Sequence, residues 1–175
     1  SWSHDDKWKN GITTLMLASR YHPEGSRLQT VKALLDAKAA VDATTAKQVT
    51  VLHMAVDDQR VDEALVLLKH RADPNHMDAK KRTPLLQAAQ GGSTQITKLL
   101  LDHRADPFYR RGDGPKDGRS LLTYCCQYGY TDVAKLLLDA AGAPGTESRA
   151  KLLNMLNNAG EESAITFAAR YGHIK

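Results

Sequence analysis

A chain of 175 residues that is 42% hydrophobic, 25% charged and only 6% aromatic has the make-up of an ordinary globular domain or two, its core built from aliphatic residues and alanine. Disorder across most of its length is excluded. The net charge of +4 permits an acidic partner but falls short of the dense Lys/Arg stripe of a dedicated nucleic-acid binder.

The opening residues, Ser1-Trp2-Ser3-His4-Asp5-Asp6, have neither the basic start nor the apolar run of a signal peptide, and no initiator methionine precedes them. The expectation is a fragment or processed piece of a longer chain. Trp2 and Trp8 are expected to fold back over the end of the first helical unit, with an aromatic cage for a cation as the rival use. The first helix is predicted over Thr13-Thr14-Leu15-Met16-Leu17-Ala18, and a turn lengthened by His22-Pro23-Glu24-Gly25 follows it. A longer apolar helix then runs through Val31-Lys32-Ala33-Leu34-Leu35-Asp36 into the polar loop Ala39-Ala40-Val41-Asp42. The same order returns at Thr50-Val51-Leu52-His53-Met54-Ala55 with Leu65-Val66-Leu67-Leu68, and at Thr83-Pro84-Leu85-Leu86-Gln87-Ala88 with Leu99-Leu100-Leu101. A fourth copy reads Ser120-Leu121-Leu122-Thr123-Tyr124-Cys125 with Leu136-Leu137-Leu138, and a fifth begins at Ser163-Ala164-Ile165-Thr166-Phe167-Ala168. The first residues of these stretches are 37, 33, 37 and 43 positions apart, a period of 33 with insertions.

Two separated motifs recurring in one order make this chain resemble the ankyrin repeat family, over roughly residues 10 to 175. The family pattern is a Thr-Pro-Leu-His start, an Ala-Ala pair, and a Leu-Leu helix ending in Gly-Ala-Asp. The resemblance implies an all-α ankyrin repeat solenoid of four full repeats and one partial repeat, with short β-like finger loops along one edge. The repeats fall at approximately 10–46, 47–79, 80–116, 117–159 and 160–175 within a single domain, 1–175. Local chemistry agrees: Thr83 can cap a helix that Pro84 opens, and the small Ala88-Ala89 pair lets helices approach closely. Lys38, Arg71 and Arg104 stand where the family places glycine after the second helix, so strain or a different turn is expected there. Insertions enlarge the loop around Arg110–Lys116 and the stretch from Ala143 to Gly160, where Lys151-Leu152-Leu153 can add helical turns.

Nothing in the sequence nominates an active site, a cofactor or a metal, and no enzyme activity is expected. Cys125-Cys126 replace the small pair of the fourth repeat and read as small hydrophobes, without CxxC or Cys/His ligand spacing. Two adjacent cysteines cannot staple a secreted fold, which favours an intracellular and most simply cytoplasmic protein. By resemblance His53 hydrogen-bonds within the loop scaffold. Asp57, Asp58, Asp62 and Glu63 read as a solvated face around one turn. There is no phosphate loop and no nucleophile elbow, and no apolar stretch approaches the roughly 18 residues of a membrane span.

The implied function is non-covalent recognition of another protein, with an acidic surface as one form of partner. Contacts are expected from the finger loops and the first helices: Gln48 and Val49, Lys81 and Arg82, Phe108, Tyr109, Arg110 and Arg111, Lys116, Arg119, and Tyr128. A regulatory or targeting domain of a larger enzyme, channel or bacterial effector is the alternative. Nucleic-acid binding through the basic fingers ranks below both.

Overall fold

A computed structural model describes residues 11–21, 23–111 and 119–154. Among the described residues there are nine α-helices: α1 Thr14–Tyr21, α2 Glu24–Asp36, α3 Val51–Asp57, α4 Val61–Lys69, α5 Pro84–Gln90, α6 Thr94–Asp102, α7 Leu121–Tyr128, α8 Thr131–Ala140 and α9 Glu147–Leu153. The first eight alternate as a first and a second helix of four successive pairs, which is the all-α ankyrin repeat arrangement read from the sequence. Trp2 and Trp8, expected to cover the end of the first unit, and the partial repeat expected at 160–175 lie outside the described residues, as does most of the enlarged loop between Arg110 and Lys116.

Each first helix begins where a hydroxyl can replace the missing turn of backbone acceptors. Thr13 Oγ1 accepts from the Met16 N–H at 3.3 Å, and Ser120 Oγ from the Thr123 N–H at 3.2 Å. Thr50 forms a capping box with His53. Pro84 opens α5, where its missing N–H costs nothing.

The chain forms two compact units, Ser1–Pro84 and Leu85–Lys175. In the first unit α1 packs on α2 and α3 on α4, while α1 also meets α3 and α2 meets α4. The result is two layers, first helices against first and second against second. Leu15, Met16, Val31, Leu52, Ala55 and Leu67 are buried between them. In the second unit α8 packs against α6, α7 and α9, burying Ile96, Leu100, Leu121, Val133, Leu137 and Leu152. Each leucine so enclosed contributes about 2 kcal/mol of transfer free energy.

The helix ends show how the missing glycines are handled. Lys38, Arg71 and Arg104 keep the left-handed conformation, with φ of 66°, 65° and 67°. The turn is therefore the one glycine would make, and the strain is accepted. Its closing bonds run from the Ala39, Ala72 and Ala105 N–H groups to Leu34, Leu67 and Leu100 carbonyls, each at 3.0 Å. Ala72 and Ala105 are buried just beyond the turn, so packing compensates a left-handed penalty of about 1–2 kcal/mol per residue.

Of the lengthened turn expected at His22–Gly25, His22 lies outside the described residues and Pro23–Gly25 behave differently from a turn. Pro23 caps the next helix at φ −57° and its carbonyl accepts from Arg27 at 2.9 Å. Glu24 and Gly25 thus become the first turn of α2, which has 13 residues against 9 in α4 and 9 in α6. A proline with its φ preset starts a helix more readily than it prolongs a loop.

Candidate protein-binding surface

Two finger loops of the first unit have one geometry. In the first, the Thr45 N–H donates to the Val49 carbonyl at 3.0 Å and the Gln48 N–H to the Thr45 carbonyl at 2.8 Å. In the second, Asp78 donates to Arg82 at 3.0 Å and Lys81 to Asp78 at 2.8 Å. Gln48 and Lys81 occupy the left-handed position of each turn, at φ 58° and 55°. A side-chain acceptor braces each loop: Thr45 Oγ1 takes the Val49 N–H at 3.2 Å. Asp78 Oδ1 takes the Lys80 and Arg82 N–H groups at 2.9 and 2.8 Å. A bond of 2.9 Å from the Ala79 N–H to the Lys47 carbonyl joins the two tips. Gln48, Lys81, Lys47 and Lys80 are exposed on them, and Val49 is half-buried behind.

Arg82, one of the residues expected to contact a partner, is instead part of the frame. Its Nε donates to Asp78 Oδ2 at 2.8 Å, and Nη2 lies 2.7 Å from the same oxygen. Burial works to raise the Asp78 carboxyl, but the Arg82 and Lys80 hydrogen bonds outweigh it and hold the group below its usual value. The Arg82 carbonyl also serves His53, whose Nε2 donates to it at 3.1 Å while Nδ1 sits 2.8 Å from Thr50 Oγ1. His53 therefore has the loop-scaffold role that the resemblance implies, and burial lowers its pKa despite that bond. Lys47 is not among the residues expected from the sequence to stand on the tips, although it lies 33 positions before Lys80.

Below the fingers, accessible side chains are Thr14, Leu17, Arg20 and Tyr21 on α1, Met54 and Asp57 on α3, and Asp58 just after it. Tyr21 is 65% exposed, with the Arg20 guanidinium 5.9 Å from its ring centre. Arg20, Met54, Asp57, Asp58 and Arg60 line a depression of about 180 Å³. One acid of this region departs from the solvated face expected. Asp57, Asp58 and Asp62 are exposed, but Glu63 is buried and lies 3.3 Å from Arg60. Arg60 donates in turn to the Ser19 carbonyl and, at 3.1 Å, to Ser19 Oγ. Burial raises the Glu63 carboxyl above its ordinary pKa, with the Ser19 bond and Arg60 opposing. The first turn of α4 turns this acid inward because Arg60, three residues earlier, waits there as its counter-ion.

In the second unit the expected residues divide. The Phe108 N–H is bound by Asp106 Oδ1 at 2.9 Å and its ring lies 5.7 Å from Lys151 Nζ. Arg110 pairs with Ser120 in an isolated antiparallel bridge, and Tyr109 and Arg111 beside it are half-buried. Arg119 donates to Gln127 Oε1 at 2.8 Å and stands over the Tyr124 ring. Tyr128 is 51% exposed and stacks on Tyr130, ring centres 5.8 Å apart. Lys116 lies outside the described residues. Cys125 is buried and its thiol is pushed up to about 12, chiefly by burial; Cys126 is half-buried. Lys80 to Arg82 belong to the first unit and Phe108 to Arg119 to the second.

A family model of three successive ankyrin repeats matches residues 2–78 and 62–148. The chain belongs to the ankyrin repeat family. Ankyrin repeats are generally protein–protein interaction modules and typically non-catalytic ones. No curated protein matches this sequence. Among the described residues of these ankyrin repeats, no three His, Cys, Asp or Glu side chains gather as a metal site would need. No described helix is long and apolar enough to cross a membrane.

Proposed function

We propose that these ankyrin repeats hold a partner protein against the finger tips and the accessible face of the first helices, and that the partner presents an acidic surface to the tips. The observation that carries this reading is the pair of joined, internally braced fingers. Their hydrogen bonds fix the backbone, so Lys47, Gln48, Lys80 and Lys81 are presented with little ordering left to be done on binding. A basic rim of this kind accelerates encounter with an acidic surface and orients it. Phe108, Tyr109, Arg110, Arg111, Lys116, Arg119 and Tyr128 join the proposal as contacts from the second unit. An intracellular setting belongs to it as well, since Cys125 and Cys126 are free thiols. The alternative, in which the repeats address a larger enzyme, channel or effector to its target, uses the same surface.

The test is a crosslinked capture from lysate with three forms of the chain. One is the parent. The second carries Lys47→Glu, Lys80→Glu and Lys81→Glu. The third carries Lys32→Glu and Lys69→Glu on the exposed sides of α2 and α4. A protein held by the first and third and lost by the second supports the reading. Retention by the tip variant, or loss from the outer-helix variant alone, overturns it. Capture of RNA with an affinity that falls steeply with salt would assign the lysines to phosphate instead.

A further inference from the structure

The accessible face of the first unit changes character from one end to the other. At the finger end Lys47, Lys80 and Lys81 are exposed on tips joined by the 2.9 Å bond between Ala79 and Lys47. In the middle, Leu17 and Met54 are half-buried and leave apolar surface open. At the far end stand Asp57 and Asp58, exposed on the rim of the depression that Met54 also lines. Of the bases beside them, Arg60 is divided among Ser19, Glu63 and Asp58 itself, at 3.1 Å from the last, and Arg20 lies over Tyr21, so Asp57 is the acid that faces a partner. The seven residues of α3 are about 10 Å long, so one short segment of chain reaches both ends.

We infer that this face binds a short amphipathic segment of another protein in a single direction. Its acidic end meets the three finger lysines, an apolar residue lies against Leu17 and Met54, and a basic residue sits at Asp57, beside the Asp58–Arg60 pair. The inference rests on the recognition reading above and adds to it the composition and polarity of the partner. Exposed ion pairs of this kind contribute little affinity each. Their use is in direction, because the reversed segment brings like charges together at both ends.

The test is a display selection from random peptides of about twelve residues, long enough to cross the face when extended, on the full chain. The recovered peptides are expected to share an order of acidic, apolar and basic residues. Lys47→Glu, Lys80→Glu and Lys81→Glu together should weaken them about tenfold, and Asp57→Lys with Asp58→Lys should weaken them to a similar degree. A chain carrying both exchanges should prefer the same peptides with their charges swapped. Circular dichroism melts confirm that each variant is folded. Recovered peptides without charge order, peptides indifferent to both exchanges, or no recovered peptide at all overturn the inference. Met54→Arg separates the two readings. Peptides that lose binding to Met54→Arg but ignore the end exchanges leave the face as the site and remove its polarity. Peptides that ignore all three variants remove the face as well.

Discussion

The first unit is joined internally by buried polar groups, the second by rings and a thiol. His53 and Asp78 of the second repeat hold Arg82 at the start of the third, and Arg60 of the second, paired with Glu63, reaches Ser19 of the first. In the second unit Tyr130 lies against Gly92, Tyr128 stacks on Tyr130, and Tyr124 and Cys125 are buried. What persists through both is the backbone. Left-handed residues recur 33 positions apart at Gln48 and Lys81, at Gln59 and Gly92, and at Lys38, Arg71 and Arg104. The repeat thus conserves its turns and changes the side chains that join one copy to the next, as nearest-neighbour stacking allows.

The second unit is most vulnerable at Cys125. Cys125→Arg buries an unpaired charge where no polar partner is provided, and urea unfolding should show a loss of about 3–5 kcal/mol. Cys126→Arg should lose much less, because Cys126 is only half-buried; equal losses would mean the helix is rotated from the register described. In the first unit, Asp78→Ala strands Arg82 and two backbone N–H groups. A loss of about 3 kcal/mol is expected by the same measurement. Next, Gly92→Ala combines a φ of +66° with a new Cβ only 2.7 Å from the Tyr130 ring. A loss of about 2 kcal/mol and an altered near-ultraviolet tyrosine signal are expected. An unchanged tyrosine signal would detach the Tyr128–Tyr130 stack from the glycine.

The smallest effect is a pH dependence with two signs. The folded-state pKa of His53 is lowered below 6.5, so the unfolded chain takes up the proton first. Its contribution is complete above pH 6.5 and is lost as pH falls through the lowered value. Glu63 is raised above 4.5, so its ionised form opposes folding, and that penalty is relieved as pH falls through the raised value toward 4.5. Urea midpoints followed with pH should therefore lose their decline below 6.5 in His53→Gln, whereas Glu63→Gln should lose the partial recovery at lower pH.

Much of the fold was legible because hydroxyl-Leu starts and Leu-Leu second helices mark each unit twice. The position of the strained caps was legible too, from Lys38, Arg71 and Arg104 standing where glycine is usual. Their outcome was not, since it depends on how firmly Ala72 and Ala105 are packed beyond the turn. The candidate site was legible in part. Gln48 and Lys81 emerge at the tips as expected, but nothing local distinguishes the exposed Lys81 from the committed Arg82. That difference is made by a buried carboxylate four residues earlier. Glu63 escaped for the same reason: its burial is set by Arg60 and by Ser19, a residue 44 positions away.

The three left-handed caps hold an unused reserve. Each lies ten positions before a loop tip or the corresponding point of the next loop, on the trailing end of a second helix, outside the set of residues assigned to recognition. Glycine at Lys38, Arg71 and Arg104 would relax the backbone at each turn. Hardness and specificity are separately adjustable in this protein, and the adjustment for hardness is three codons long.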